Sequence, residues 1–213
     1  MAMVPLIVWL ALAVIEQVVP VASEPRHHVV YQNDWVRVID AFFPVGDATL
    51  YHTHSRDNVP ICLAGGAMTT QPLGGSVQAG TARDGAVGFA RASYTHRIVN
   101  TGLTDLHFLD VEILQLPDKD TSLGPEEGLA DHTREFENDR VRVFRVRGPA
   151  AADAPPHTHP HRVLAVVVPA PAAGTPTQAG TELPPPPGSL TFYEPKQPVH
   201  VAARVEVIEI EIK

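Results

Sequence analysis

The sequence predicts an all-β protein made of two small barrels in tandem, after an N-terminal apolar leader. Three observations predict it. Stretches of alternating apolar and polar residues recur along the chain, turn-forming residues separate them, and one block of sequence returns at a fixed distance. The alternation is clearest in Val36–Phe42, Leu106–Ile113, Arg142–Val146 and Val205–Ile212. Because side chains in a strand alternate between faces, each stretch reads as a half-buried strand. Gly65-Gly66, Gly74-Gly75, Gly85 to Gly88 and Pro184 to Gly188 mark turns between strands, and no segment after residue 24 keeps a helical period.

The returning block is Tyr31-Gln-Asn-Asp-Trp-Val-Arg-Val38, which matches Phe136-Glu-Asn-Asp-Arg-Val-Arg-Val143 at an offset of 105, with five of eight positions identical. The same offset carries His52-Thr53-His54 onto His157-Thr158-His159 without a gap, and His96 has a counterpart at His200, an offset of 104. The chain therefore divides into a first half over 24–114 and a second over 132–213. The stretch 115–131, rich in Pro, Gly, Asp and Glu, is the linker.

With 213 residues there is enough chain for two domains of about 100 residues, each able to bury a core. Hydrophobic residues at 44% against 19% charged describe a globular protein. The net charge of −8 gives no attraction for phosphate backbones, so nucleic acid is not expected as a partner. The single cysteine, Cys62, rules out an internal disulfide and a cysteine-rich zinc site, leaving His, Asp or Glu to hold any metal. In the apolar run Ile61-Cys62-Leu63 it reads as a small core residue.

Residues 1–23 read as a signal peptide. Met3 to Ile15 is nearly all apolar, and Val21-Ala22-Ser23 supplies small residues before Glu24. A periplasmic or secreted location is expected on that reading. A membrane anchor and a buried apolar strand are its alternatives: no Lys or Arg lies near Met1 as a signal peptide usually has, while Glu16 cuts the run too short for a comfortable membrane span.

Two histidines at i and i+2 on one strand face the same way, so His52 and His54 can offer two imidazoles to one ion. With eleven histidines in the chain a single such pair is weak evidence; its return as His157 and His159 is strong. His96 and His200 follow some 40 residues later, each completing a set of three. The expected metal ligands are thus His52, His54 and His96 in one site and His157, His159 and His200 in the other. His27, His28, His107 and His132 have no partner at ligand spacing and read as surface or core residues, and Pro160 separates His161 from its neighbours.

This pattern resembles the cupin superfamily. Gly46 followed after five residues by His52-Thr53-His54, with Gly65-Gly66 beyond, is similar to the family's first motif; His96-Arg-Ile-Val-Asn100 is similar to the end of its second. The resemblance recurs in each half and implies a bicupin of two jelly-roll domains. Where the family supplies a glutamate ligand, this chain has Asp57, Asn58 and Val59, or Arg162, Val163 and Leu164. Arg91-Ala-Ser93 replaces the usual Pro-x-Gly, and the second half, which keeps Pro195, has Ala151 for Gly46 and Arg204 for Asn100. The second site is accordingly expected to be the weaker.

Three neutral imidazoles leave the charge of a divalent ion uncompensated and leave coordination positions open. Such a centre favours a chelating organic anion. Resemblance to three-histidine cupin oxygenases implies dioxygenase-like chemistry on a small substrate, with iron, copper, nickel, manganese or zinc as the metal. Asp57 is a base or remote ligand in that reading, or otherwise a solvated loop carboxylate. The alternative function is an exported binding protein that captures metal or a small ligand without turnover.

Overall fold

A computed structural model describes residues 16–115, 132–149, 153–169 and 185–213 of the chain. The strands fall into two groups. The first contains β1 (Val18–Pro20), β2 (His27–Gln32), β3 (Val36–Phe43), β4 (Tyr51–His54), β5 (Asn58–Ala64), β6 (Ala67–Pro72), β7 (Gln78–Thr81), β8 (Tyr94–Asn100) and β9 (Leu106–Ile113). The second contains β10 (His132–Glu137), β11 (Val141–Arg147), β12 (His157–Thr158), β13 (Arg162–Val168), β14 (Leu190–Tyr193), β15 (Pro198–Val199) and β16 (Glu206–Ile212). Among the described residues there is no α-helix, and no helix long and apolar enough to cross a membrane.

In the first group β2-β3-β9-β5 and β1-β4-β8-β6-β7 form two layers of a jelly roll. The second repeats the layout: β10-β11-β16-β13 has the order of β2-β3-β9-β5, with β14 added at the edge, and β12-β15 stands where β4-β8 stands. The repeated Asn-Asp turns explain the matching block. Asn33 Oδ1 accepts from the Trp35 and Val36 amides and Asn138 Oδ1 from those of Arg140 and Val141, closing the same side-chain-stabilised turn before β3 and β11.

The four-stranded sheet β2-β3-β9-β5 and the five-stranded sheet β10-β11-β16-β13-β14 pack face to face. Val36, Val38, Ile61, Val111 and Ile113 of the first group share one core with Val141, Val143, Leu164, Ile208 and Ile210 of the second. The Arg162 guanidinium also lies 3.8 Å over the Trp35 ring, a cation–π contact across the halves.

This packing corrects the half-buried expectation. Every residue of β16 is buried: Ile208, Ile210 and Ile212 enter the shared core, while Val207, Glu209 and Glu211 face into their own barrel. Alternation here separates two interiors rather than core from water.

Two boundary expectations meet the structure differently. The apolar run Met3–Ile15 and, apart from Gln115, the linker 115–131 lie outside the described residues. Residues 18–23 of the expected leader, however, belong to the first barrel. β1 runs parallel to β4 with Val19 opposite His52, and Val21 is buried. That segment forms a strand, although β1 is largely exposed and not the buried strand considered above.

Candidate metal centres

The strand pairing assembles the first site. Gly46 turns the chain at φ +78°, a left-handed conformation suited to glycine, ahead of β4. His52 and His54 then point inward from β4, and β8 lies antiparallel with His96 directly opposite His52. His52 and His54 are fully buried and His96 is partly so. Their ring centroids are 4.5 to 5.3 Å apart, and His54 Nε2 is 3.3 Å from His96 Nε2.

The surroundings aim the rings. His52 Nδ1 donates to the Leu50 carbonyl at 3.0 Å, which leaves Nε2 as a lone pair, buried and without a partner. The Asn58 carboxamide sits 2.8 Å from His54 Nδ1, and the Tyr94 ring stacks on His54 at 4.5 Å. Asn58, found where a glutamate ligand is usual, thus braces a ligand instead of being one. Burial, reinforced by the neighbouring imidazoles, pushes His52 down to about 4, His96 to about 3 and His54 to about 2. All three are neutral near pH 7, the form that binds cations. The donor set fits a divalent transition metal, with His52, His54 and His96 holding it.

A cavity of about 240 Å³ adjoins these rings. Phe43, Met68, Ile98 and Phe108 give it apolar walls, and Tyr94 and Asp110 add polar groups. Burial pushes the Asp110 carboxyl up to about 6, with Glu112 adding to the rise and His27 opposing it. His27, expected to be inert, stands behind His52 at 4.5 Å between centroids and holds Glu24 at 2.6 Å. Asp57 is neither a ligand nor solvated: it is buried, accepting from Arg140 Nε at 2.7 Å and the Ala92 amide at 2.8 Å.

The second site differs from its expected form. His157 and His159 come together, but His200 does not join them and is exposed. Register explains the correction. His157 is paired with Val199 on β15, so Val199 points inward and His200, one residue on, points out. His157 and Val199 are 42 residues apart where His52 and His96 are 44, so His200, 43 residues on, falls on the opposite face.

Two other side chains complete the group: His132 from β10 and Glu209 from β16. Glu209 Oε2 lies 3.0 Å from His132 Nε2, 3.2 Å from His157 Nε2 and 2.9 Å from His159 Nε2. Burial works against charge here, but the three imidazoles hold the Glu209 carboxyl far below its usual range. Burial likewise opposes the His159 cation, yet Glu209 and Glu211 outweigh it and raise the ring to about 9. His28 is exposed, His107 pairs with Asp40 at the surface, and His161 lies outside the group. Arg204 sits on an exposed turn at φ +62°, while Ala151 is outside the described residues.

Both missed residues left a signal. His132 is His27 moved by the same 105 residues. Glu209 is opposite Phe144 as Asp110 is opposite Ile39, so the two carboxylates are register equivalents, 99 residues apart because the second half is shorter before its last strand.

No family model and no curated protein matches the chain. Among solved structures, AerE from Microcystis aeruginosa is 14% identical over 89% of this chain and 98% of its own, with a TM-score of 0.50. A cupin domain from Bordetella pertussis Tohama I is 25% identical, over 41% of this chain and 90% of that one, with a TM-score of 0.39. A predicted oxalate decarboxylase from Thermotoga maritima is 23% identical, covering 44% of this chain and 86% of its own, at 0.35. Two-layered jelly-roll sheets with an inward His-x-His strand, together with the likeness over most of the chain, show the double-layered jelly-roll fold that the resemblance to cupins implies.

Proposed function

We propose that the chain is an exported bicupin whose first site binds a divalent transition metal and acts on a small chelating organic anion. One observation carries the reading: three neutral imidazoles, His52, His54 and His96, converge beside an apolar-walled cavity, with the His52 Nε2 lone pair buried and unpartnered. Among the described residues no carboxylate joins those three, so a bound anion has to balance the ion's charge. An ion held there would supply Lewis acidity and, if redox-active, electron transfer to dioxygen.

The chain's own groups do the rest. Phe43, Met68, Ile98 and Phe108 exclude water, which strengthens the attraction between an anion and the site. Asp110, ionised near pH 7 and set in the cavity wall, is the group available to take the proton that a neutral chelator loses on binding. A dioxygenase-like reaction on an enolisable or catechol-like compound is the chemistry that this set suits. Export rests on the run Met3–Ile15. A cleavage point before Val18 would leave β1 in its sheet.

The test is elemental analysis of purified protein, followed by oxygen-electrode screening over diketones, thiols and catechols. His52→Ala and His96→Ala are expected to lose the first-site metal and any oxygen uptake. A parent protein that binds metal but consumes no oxygen with any of these would leave the non-catalytic binding reading in its place.

A further inference from the structure

We propose that the second half holds its own divalent cation in a closed site formed by His132, His157, His159 and Glu209, and that this ion ties the half's two layers together instead of meeting a substrate. The inference stands on a different donor set from the first site, and two of the four ligands lie outside both histidine motifs of the sequence.

The four ligand atoms all lie within 4.8 Å of one another. Hydrogen bonding alone serves them poorly. Three imidazole nitrogens crowd one carboxylate oxygen, Glu209 Oε2, and His132 Nε2 lies 3.1 Å from His157 Nε2, so two potential donors also face each other. Meanwhile Glu209 Oε1, His132 Nδ1 and His159 Nδ1 are buried with no hydrogen-bond partner. A buried cluster left partly unsatisfied in this way is costly. A dication among the four atoms turns the crowding into coordination, with every imidazole supplying a lone pair.

The site is also largely closed. Glu209 has no exposed surface and His159 only 2%, and the side chains of His132 and His157 are 4% and 11% exposed. Four ligands supplied wholly by the chain are the complement of a structural metal site. The first half shows what closes it. Asp110 occupies the position of Glu209 on the equivalent strand but is one methylene shorter and does not join His52, His54 and His96; it stands in the cavity wall. The same backbone position leaves one site open and seals the other.

The structural role follows from the strands involved. β12 carries His157 and is paired with β15 through only two residue pairs, His157 with Val199 and Thr158 with Pro198. A cation bound by β12, β10 and β16 joins this short strand to the opposite layer, which backbone pairing does not do.

The experiment uses the full chain, stripped of metal and titrated with Zn²⁺ alone, read by calorimetry and by thermal denaturation. The parent is expected to take up two equivalents, Glu209→Gln and His132→Ala one each, and the exposed His200→Ala two. His52→Ala, with the second half untouched, should still bind one equivalent and gain several degrees in Tm as it does so. The last variant keeps the test decisive even if changes within the cluster prevent folding. The proposal is overturned if His52→Ala binds no zinc or binds it without a rise in Tm, or if Glu209→Gln keeps both equivalents. If instead His52→Ala binds one and Glu209→Gln none, the second site stands and the metal-binding reading of the first fails.

Discussion

Replacing Arg140 with Ala isolates the ion pair that joins the halves beside the first site. Arg140 Nε donates to Asp57 Oδ2 at 2.7 Å, and each side chain is only 10% exposed. Breaking a fully buried pair by removing one partner costs about 3–5 kcal/mol, because the other charge stays buried. Asp57 still keeps the Ala92 amide at 2.8 Å and the half-exposed Arg91, which reduces the expected loss to about 2–3 kcal/mol. For a chain of this size each kcal/mol moves Tm by about 2–4 °C, so Arg140→Ala should melt roughly 4–12 °C below the parent. Calorimetry and urea denaturation of Arg140→Ala, Asp57→Ala and the double variant would give the coupling, with the double variant close to the worse single. Arg91→Ala, whose side chain is 58% exposed, should lower the midpoint far less than Arg140→Ala. Additive losses in the double variant would refute the pairing argument. Loss of first-site metal in Asp57→Ala with the fold intact would return Asp57 to the role of remote ligand.

Three further outcomes are expected. The metal-free protein should be most stable near pH 6.5. The unfolded histidine takes its proton at about 6.5, whereas folded His52 resists it down to about 4 and folded His96 to about 3, so stability falls as pH drops below 6.5; His159, raised to about 9, contributes stability below 6.5 that is lost as pH rises through 9. Urea midpoints that climb steadily from pH 5 to 9 would contradict this. Cys62, buried and pushed up to about 12 by burial and by Asp84, should resist iodoacetamide at pH 8 until the protein is unfolded, as mass spectrometry would show. Gly148→Ala would place a methyl 1.9 Å from the Ala202 carbonyl oxygen, a backbone clash that should cost about 1–3 kcal/mol or more in denaturation midpoints.

The strands and the first site were legible in the sequence because their geometry is periodic and local. Period two puts His52 and His54 on one face whatever surrounds them, and antiparallel pairing needs only one further histidine, His96, at an inward position opposite. The second site was misread because spacing does not reveal parity. His200 and Val199 differ by one residue, and the loop before them decides which faces inward. Glu209 escaped notice because an alternating acidic strand normally turns its carboxylates to water; here both faces are interior, a property of the packed pair of layers that β16 alone cannot display. Asp57 was hidden for a related reason, since Arg140, its partner, is 83 residues away in the other half.

The core shared between the layers has a consequence for how such a chain arises. Each half presents a flat aliphatic sheet, Val36, Val38, Val111 and Ile113 on one side and Val141, Val143, Ile208 and Ile210 on the other, that would meet water if the half stood alone. A single-barrel ancestor with that face would have to self-associate, and its association would depend on concentration. Joining two copies in one polypeptide makes the encounter intramolecular, at an effective concentration in the millimolar range for short flexible tethers. Once the partner is guaranteed, the two halves are free to differ, as Asp110 and Glu209 do at one shared register position.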